Sequence, residues 1–308
     1  MAGRHTRPLP RRDQDGAARD ACKPHSTPAP SLHHLPSTSS SPFQAAPYLA
    51  LLSPTERAAV LKFLFPRDAK LSLASSLIKR LAISTTTLVP WSSATPARDD
   101  RGKPVFADAP GRPPLRFNVS HQDGLVALLG VTCEADVGID VVSCGERRVR
   151  DRETVARDGW AAFVRVYEDV FSPREVSYLI SLEAEGLGVD ERFRFFYALW
   201  CLREAYVKMT GEALLAEWLK DLEFRNFRPP RASGGGGLEP GEVVTDIEFA
   251  RHGKIEEGVR MELRALGEGY MVGTAVRTRR AAEVFGLGLD QLEIVTLEDI
   301  RAHAERNP

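Results

Sequence analysis

No run of about 18 apolar residues occurs in the 308-residue chain, which excludes a helical membrane span. No C-x-x-C pair joins the four cysteines, Cys22, Cys133, Cys144 and Cys201. Their scatter excludes a zinc ribbon or a disulfide scaffold and suits a reducing compartment, so a cytoplasmic protein is expected. Net charge is nearly absent: 41 basic residues face 42 acidic ones, so bulk charge selects neither nucleic acid nor an acidic membrane surface as partner. The amino terminus lacks the apolar core of a secretory signal. What is present is ordinary, 43% hydrophobic and 27% charged, in a chain long enough for one large or two modest domains.

Residues 1–45 stand apart. They hold seven of the 21 prolines, four of the seven histidines and no tryptophan, and run through Pro36-Ser37-Thr38-Ser39-Ser40-Ser41-Pro42. Such a segment buries too little apolar surface to offset its ordering entropy, so a disordered tail is expected. Its arginines suit a transit peptide, but Asp13, Asp15, Asp20 and the prolines argue against one. They also come with almost no aromatics to stack on bases, against nucleic acid as a partner.

Order begins near Ala46. Ser53-Pro54-Thr55-Glu56 and Ser172-Pro173-Arg174-Glu175 read as helix starts, with Ser as N-cap, Pro in the first turn and Glu three positions on. The first helix is predicted to reach Phe65, with Pro66 interrupting it. Leu71, Leu73, Ala74, Leu77, Ile78 and Leu81 recur at helical spacing and predict a second helix from Asp68 to about Ala82. A coil from Pro90 to Pro114 precedes strand-like runs at 115–119, 125–132 and 137–142. Residues 143–159 read as a charged loop and 160–171 as a helix. The second capped helix reaches about Leu182, and a long one runs from about Asp190 to Met209, stopped by Thr210-Gly211. Strands are predicted at 222–227, 243–249, 259–265, 270–276 and 292–296, the last leading into a C-terminal helix. Helices then strands occur twice. This predicts α+β architecture with two similar lobes, 46–142 and 143–308, and a ligand cleft between them.

Three clusters could carry chemistry. In Phe117-Asn118-Val119-Ser120-His121, Ser120 and His121 end a strand and either make a turn or donate to a phosphate. In Val137-Gly138-Ile139-Asp140-Val141-Val142, an acid inside an apolar strand costs desolvation unless a cation or donor meets it. Either a divalent ion such as Mg²⁺, a turn or an arginine partner would explain it. In Trp200-Cys201-Leu202-Arg203-Glu204-Ala205-Tyr206-Val207-Lys208, Trp200, Glu204 and Lys208 share one helical face. Glu204 and Lys208 could be a plain surface pair. The surrounding Phe193, Phe195, Phe196, Tyr197 and Leu199 make the helix apolar nearly all round, however, and such a helix is buried.

Together with Arg101-Gly102-Lys103-Pro104, these motifs resemble, in order and spacing, the large pseudo-dimeric 4′-phosphopantetheinyl transferases. Leu71-Ser72-Leu73-Ala74-Ser75 and the stretch from Met209 to Ala216 are similar to the fungal members. The resemblance covers about residues 50–300. It implies transfer of 4′-phosphopantetheine from coenzyme A to a serine of an acyl or peptidyl carrier domain, with release of 3′,5′-ADP. The carriers it implies belong to fatty-acid, polyketide, nonribosomal-peptide or aminoadipate-reductase enzymes. Matched by position, Asp140 and Glu204 would hold Mg²⁺ with the coenzyme's pyrophosphate. Lys208, Ser120 and His121 would bind phosphate, and Lys103 and Arg98 would lie along the phosphate-rich end, with Lys70 and Lys62 as further contacts. The resemblance implies Asp140, Glu204, Lys208 and His121 as the catalytic set. Glu204 is the expected base, acting on the carrier serine directly or through a water on the metal. Many bacterial members carry a second carboxylate where Val142 stands, so weaker metal binding is expected here. Members usually begin with a Trp-containing strand. Residues 1–45 show no strand pattern, so that strand is expected to be missing, or the coding start to lie elsewhere. Two lobes in one chain remove the need for a dimer, and a monomer is expected. The alternative is a non-catalytic relative that binds coenzyme A or a carrier domain.

Overall fold

Two stretches of the chain repeat one piece of local chemistry, and the architecture is built around them. The computed structural model describes residues 31–34, 45–107, 114–146, 148–212, 216–278 and 292–308. After a short α1 (Ala46–Ala50), Ser53 caps α2 (Pro54–Leu61), as Ser172 caps α6 (Pro173–Ala184). In each, the serine accepts from the N–H of the glutamate three residues on, that glutamate accepts from the cap N–H, and proline fills the first turn. Each capped helix leads into a helix of 22 residues, α3 (Pro66–Thr87) and α7 (Val189–Thr210). The fifteenth residue of each is a buried arginine, Arg80 or Arg203, and it meets the capping glutamate. Arg80 Nη2 lies 2.7 Å from Glu56 Oε2, and Arg203 Nη2 lies 2.5 Å from Glu175 Oε2. Each arginine also donates to a carbonyl in the 3-10 turn that follows its helix, Trp91 or Leu219, at 2.7 Å. The chain is α+β, and both lobes use this unit.

The first sheet has six strands in the order β13 (Glu293–Val295), β1 (Ser31–His34), β5 (Leu125–Val131), β4 (Leu115–Gln122), β3 (Pro104–Phe106), β2 (Ala97–Arg98). The second runs β6 (Ala135–Ser143), β12 (Tyr270–Thr278), β11 (Val259–Leu266), β8 (Pro240–Val244). A small third sheet joins β10 (Lys254–Ile255), β9 (Glu248–Arg251) and β7 (Leu222–Arg225). Three apolar clusters lie between the layers. One joins α3 to Phe117, Val126 and Leu128 of the first sheet. The next joins Leu125, Ala127 and Leu129 of β5 to Val137, Ile139 and Val141 of β6, fusing the two sheets. The third joins α7 to Val142, Met261, Leu263 and Met271 on the far face of the second sheet. β5 has apolar neighbours on both faces, which is why it reads as a continuous hydrophobic run rather than an alternating one.

Several expectations are corrected. Ser31–His34 forms a strand inside the segment read as a tail, antiparallel to β5 and parallel to β13, and it contains no tryptophan. The rest of that segment, 1–30 and 35–44, lies outside the described residues. The lobe boundary expected at 142/143 is not where the sheets divide, because β6 already belongs to the second sheet. In the reverse direction, β13 and α8 (Leu297–Arg306) return to the first lobe, where Val295, Leu297, Ile300 and Ala304 pack with α3. Pairing partners of a short buried strand are set by distant chain, which local pattern does not encode. Pro66 starts α3 instead of merely breaking the preceding helix. The charged segment 143–159 contains α4 (Arg148–Asp158), held from outside: Arg148 and Arg152 pair with Asp190 at the start of α7, and Tyr197 donates to Asp151 at 2.5 Å. The helix expected over 160–171 is shorter, α5 (Trp160–Arg165).

Candidate active site

Close approach of α7 to β6 makes the site. A Cβ on Gly138 would stand 2.0 Å from the Ala205 carbonyl oxygen and 2.4 Å from Met209 N, so the helix can lie on the strand only because residue 138 has no side chain. Strand period places Asp140 on the same face as Gly138, toward α7. On α7, Glu204 and Lys208 are one turn apart and share a face. Asp140 is thus buried against the helix that carries both.

A triangle of polar groups results. Lys208 Nζ donates to Asp140 Oδ1 at 2.6 Å and to Ser120 Oγ at 2.8 Å, and the Ser120 hydroxyl donates to Asp140 Oδ1 at 2.8 Å. Burial pushes the Asp140 carboxyl up, against the pull of Lys208 and Ser120. Glu204 is also raised, first by burial and then by the negative charge of Asp140, with Lys208 opposing. His121, exposed at the end of β4, feels the charges of Lys208, Asp140 and Asp68 of α3. Its imidazolium is lowered, by desolvation first and by Lys208 second, so the neutral ring dominates near pH 7. Asp140, Lys208 and Ser120 thus share hydrogen bonds, while Glu204 and His121 lie within electrostatic reach of Asp140 and Lys208.

The remaining candidates are placed differently. Lys103 is half-buried, and its ammonium donates to the Val137 carbonyl at 3.1 Å and the Met209 carbonyl at 2.7 Å. It bridges the first lobe to the C-terminal end of α7, where carbonyls carry the negative end of the helix dipole. Arg98 is exposed on β2 and donates to the Gly102 carbonyl at 2.5 Å. Lys70 lies half-buried in the first turns of α3, and Lys62 is exposed just after α2. Val142 is 3% exposed in the core beneath α7, so its side chain fills apolar space there. An open depression of about 360 Å³ is lined by Arg101, Arg116, Arg277, Glu134 and Asp136. Sequence reading missed Arg277 and Asp136 there, because β12 reaches β6 only through the fold.

The donor set fits magnesium. Burial raises both carboxyls and the Asp140 charge raises Glu204 further, a strain that a cation would relieve, and Mg²⁺ needs only one or two carboxylates beside water and phosphate oxygens. Among the described residues no group of three or more His, Cys, Asp and Glu side chains gathers to hold a metal, so a closed cage is not built.

Residues 37–133 match the family described as 4′-phosphopantetheinyl transferase, N-terminal, and residues 136–257 match the 4′-phosphopantetheinyl transferase superfamily. The 4′-phosphopantetheinyl transferase 1 of Fusarium mangiferae is 46% identical over 263 residues, covering 84% of this chain and 86% of that protein. The chain belongs to the 4′-phosphopantetheinyl transferases. The 4′-phosphopantetheinyl transferase NpgA of Emericella nidulans is 34% identical, over 76% of this chain and 77% of its own length. The mouse L-aminoadipate-semialdehyde dehydrogenase-phosphopantetheinyl transferase is 29% identical over 73% and 67%. This transferase thus matches these fungal relatives at higher identity than the mammalian one. No helix of its described residues is long and apolar enough to cross a membrane.

Proposed function

We propose that this transferase moves 4′-phosphopantetheine from coenzyme A to a carrier-domain serine at the Asp140–Glu204–Lys208 cluster, releasing 3′,5′-ADP. The observation that carries the reading is the Lys208–Asp140–Ser120 triangle with Glu204 alongside. Asp140 and Glu204 would hold Mg²⁺, which when bound neutralises charge on the coenzyme's pyrophosphate. Lys208 turns its ammonium to a phosphate oxygen, and Ser120 and a neutral His121 add uncharged donors beside it. The raised proton affinity of Glu204 suits it to take the proton from the carrier serine as that oxygen attacks phosphorus. Lys103, Arg98, Lys70 and the arginine-lined depression serve the phosphate-rich end of the coenzyme. The chain's partners are carrier domains of fatty-acid, polyketide, nonribosomal-peptide or aminoadipate-reductase enzymes. The name of the mammalian relative supports the last of these. The enzyme acts as a cytoplasmic monomer.

Incubation with coenzyme A, Mg²⁺ and an apo carrier domain, followed by intact mass of the carrier, tests this. The carrier gains one phosphopantetheine unit. No gain, with a carrier that another transferase loads, leaves only the binding-protein alternative.

A further inference from the structure

β6 forms an outer edge of the second sheet, and an edge strand leaves one row of backbone N–H groups without a neighbouring strand. Here side chains meet that row. Ile139 N donates to Asn118 Oδ1 at 3.0 Å, Val141 N to Ser120 Oγ at 3.4 Å and Ser143 N to Gln122 Oε1 at 3.0 Å. Acceptors spaced by two along β4 meet donors spaced by two along β6, so the side chains of one strand stand in for a missing neighbour of the other. Asp140 lies between the first two rungs. The middle rung, Ser120, is also the hydroxyl that donates to Asp140. The outer rung is anchored in turn, since Gln122 Nε2 donates to Glu146 Oε2 at 2.7 Å.

We infer that Asn118 and Gln122 are positioning residues, whose amide oxygens hold β6 in the register that sets Asp140 against Lys208 and thereby tune affinity for the divalent ion. Neither side chain needs to touch metal, coenzyme or carrier. The inference rests on the reading that Asp140 and Glu204 are metal ligands. Carboxylates that ligate metals are oriented by such outer partners, and losing one typically weakens binding about 10- to 100-fold.

The test compares Asn118→Leu, which removes the acceptor, with Asn118→Asp, which keeps an oxygen in place, and with Gln122→Met at the other end. Each full-length variant is titrated with Mn²⁺ in the presence of coenzyme A by electron paramagnetic resonance. Amide hydrogen exchange over residues 137–143 is followed in parallel. Asn118→Leu is expected to speed exchange at Ile139 and weaken Mn²⁺ about tenfold, with kcat falling while KM for coenzyme A moves less than about twofold. Asn118→Asp should restore exchange protection and most of the affinity. Gln122→Met should act in the same direction but more weakly, and it decides the matter if Asn118→Leu does not fold. Faster exchange with Mn²⁺ affinity unchanged in both variants overturns the inference. A wild-type protein that binds no Mn²⁺ would instead remove the metal reading itself, and the inference with it.

Discussion

Arg203 Nη2 donates to Glu175 Oε2 at 2.5 Å with both side chains essentially sealed from water, 0% and 1% exposed. Glu175 also accepts from Ser172 N and Phe224 N, each at 2.7 Å, so one carboxylate ties together α6, α7 and β7. Removing it leaves an uncompensated buried guanidinium. Glu175→Ala should therefore cost about 3–5 kcal/mol in urea unfolding. In the first lobe, the Glu56 side chain is 17% exposed and its loss is partly repaired by water, so Glu56→Ala should cost less. Equal losses would contradict the assignment of the larger role to burial.

Gly138→Ala should separate β6 from α7. The added methyl would lie 2.0 Å from a backbone carbonyl, which cannot swing aside as a side chain end can. Overpacking of this kind costs about 1–3 kcal/mol or more, and the displaced helix takes Glu204 and Lys208 from Asp140. Both melting temperature and carrier loading should fall. Gly145→Ala is the control: its nearest contact would be 3.9 Å away, and neither quantity should change.

Local chemistry made much of this legible. The two Ser-Pro-x-Glu starts, the apolar period of α3 and the shared helical face of Glu204 and Lys208 all depend on neighbours within one or two turns. What stayed hidden depends on distant chain. Nothing within Ser31–His34 says that it will sit between β5 and β13, and nothing in α4 gives it an apolar stripe, since Asp190 and Tyr197 hold it from outside. Asn118 and Ser120 stood in a motif at the end of an expected strand, but their partner, like that of Gln122, is the edge of β6, a relation of tertiary structure. Lys103 shows the same limit. That its ammonium meets the Val137 and Met209 carbonyls is a relation between distant stretches of chain, which the Arg-Gly-Lys-Pro motif does not encode.

Asp140→Ala and Glu204→Gln should each abolish carrier loading while unfolding cooperatively at near wild-type stability. Asp140→Ala leaves Lys208 without its carboxylate, but Lys208 is 28% exposed and water can reach it. Glu204→Gln keeps the shape and removes the proton acceptor together with a ligand charge. Intact carrier mass reads the first effect and circular dichroism melting the second. Near-normal loading by either variant would refute the assigned roles. For the wild type, activity should decline on acidification through a carboxyl value above the ordinary one, since burial and Asp140 both raise Glu204.

Lys103 should give the fold a dependence on alkaline pH. Burial lowers its amine from 10.5 to about 8, whereas the unfolded chain keeps the ordinary value. Between those two values the unfolded state holds a proton that the folded state has released, so stability rises with pH across that window. Below it, the folded protein carries the cost of a desolvated ammonium, offset in part by the Val137 and Met209 carbonyls. Lys103→Met removes this contribution. The melting temperature of the wild type, measured against that of the variant, should therefore climb from pH 8 to pH 10. The other groups that titrate in that range are common to both proteins and cancel in the difference. Parallel curves would mean that the folded protein leaves the amine hydrated, and that its contacts at the end of α7 do not hold it out of water.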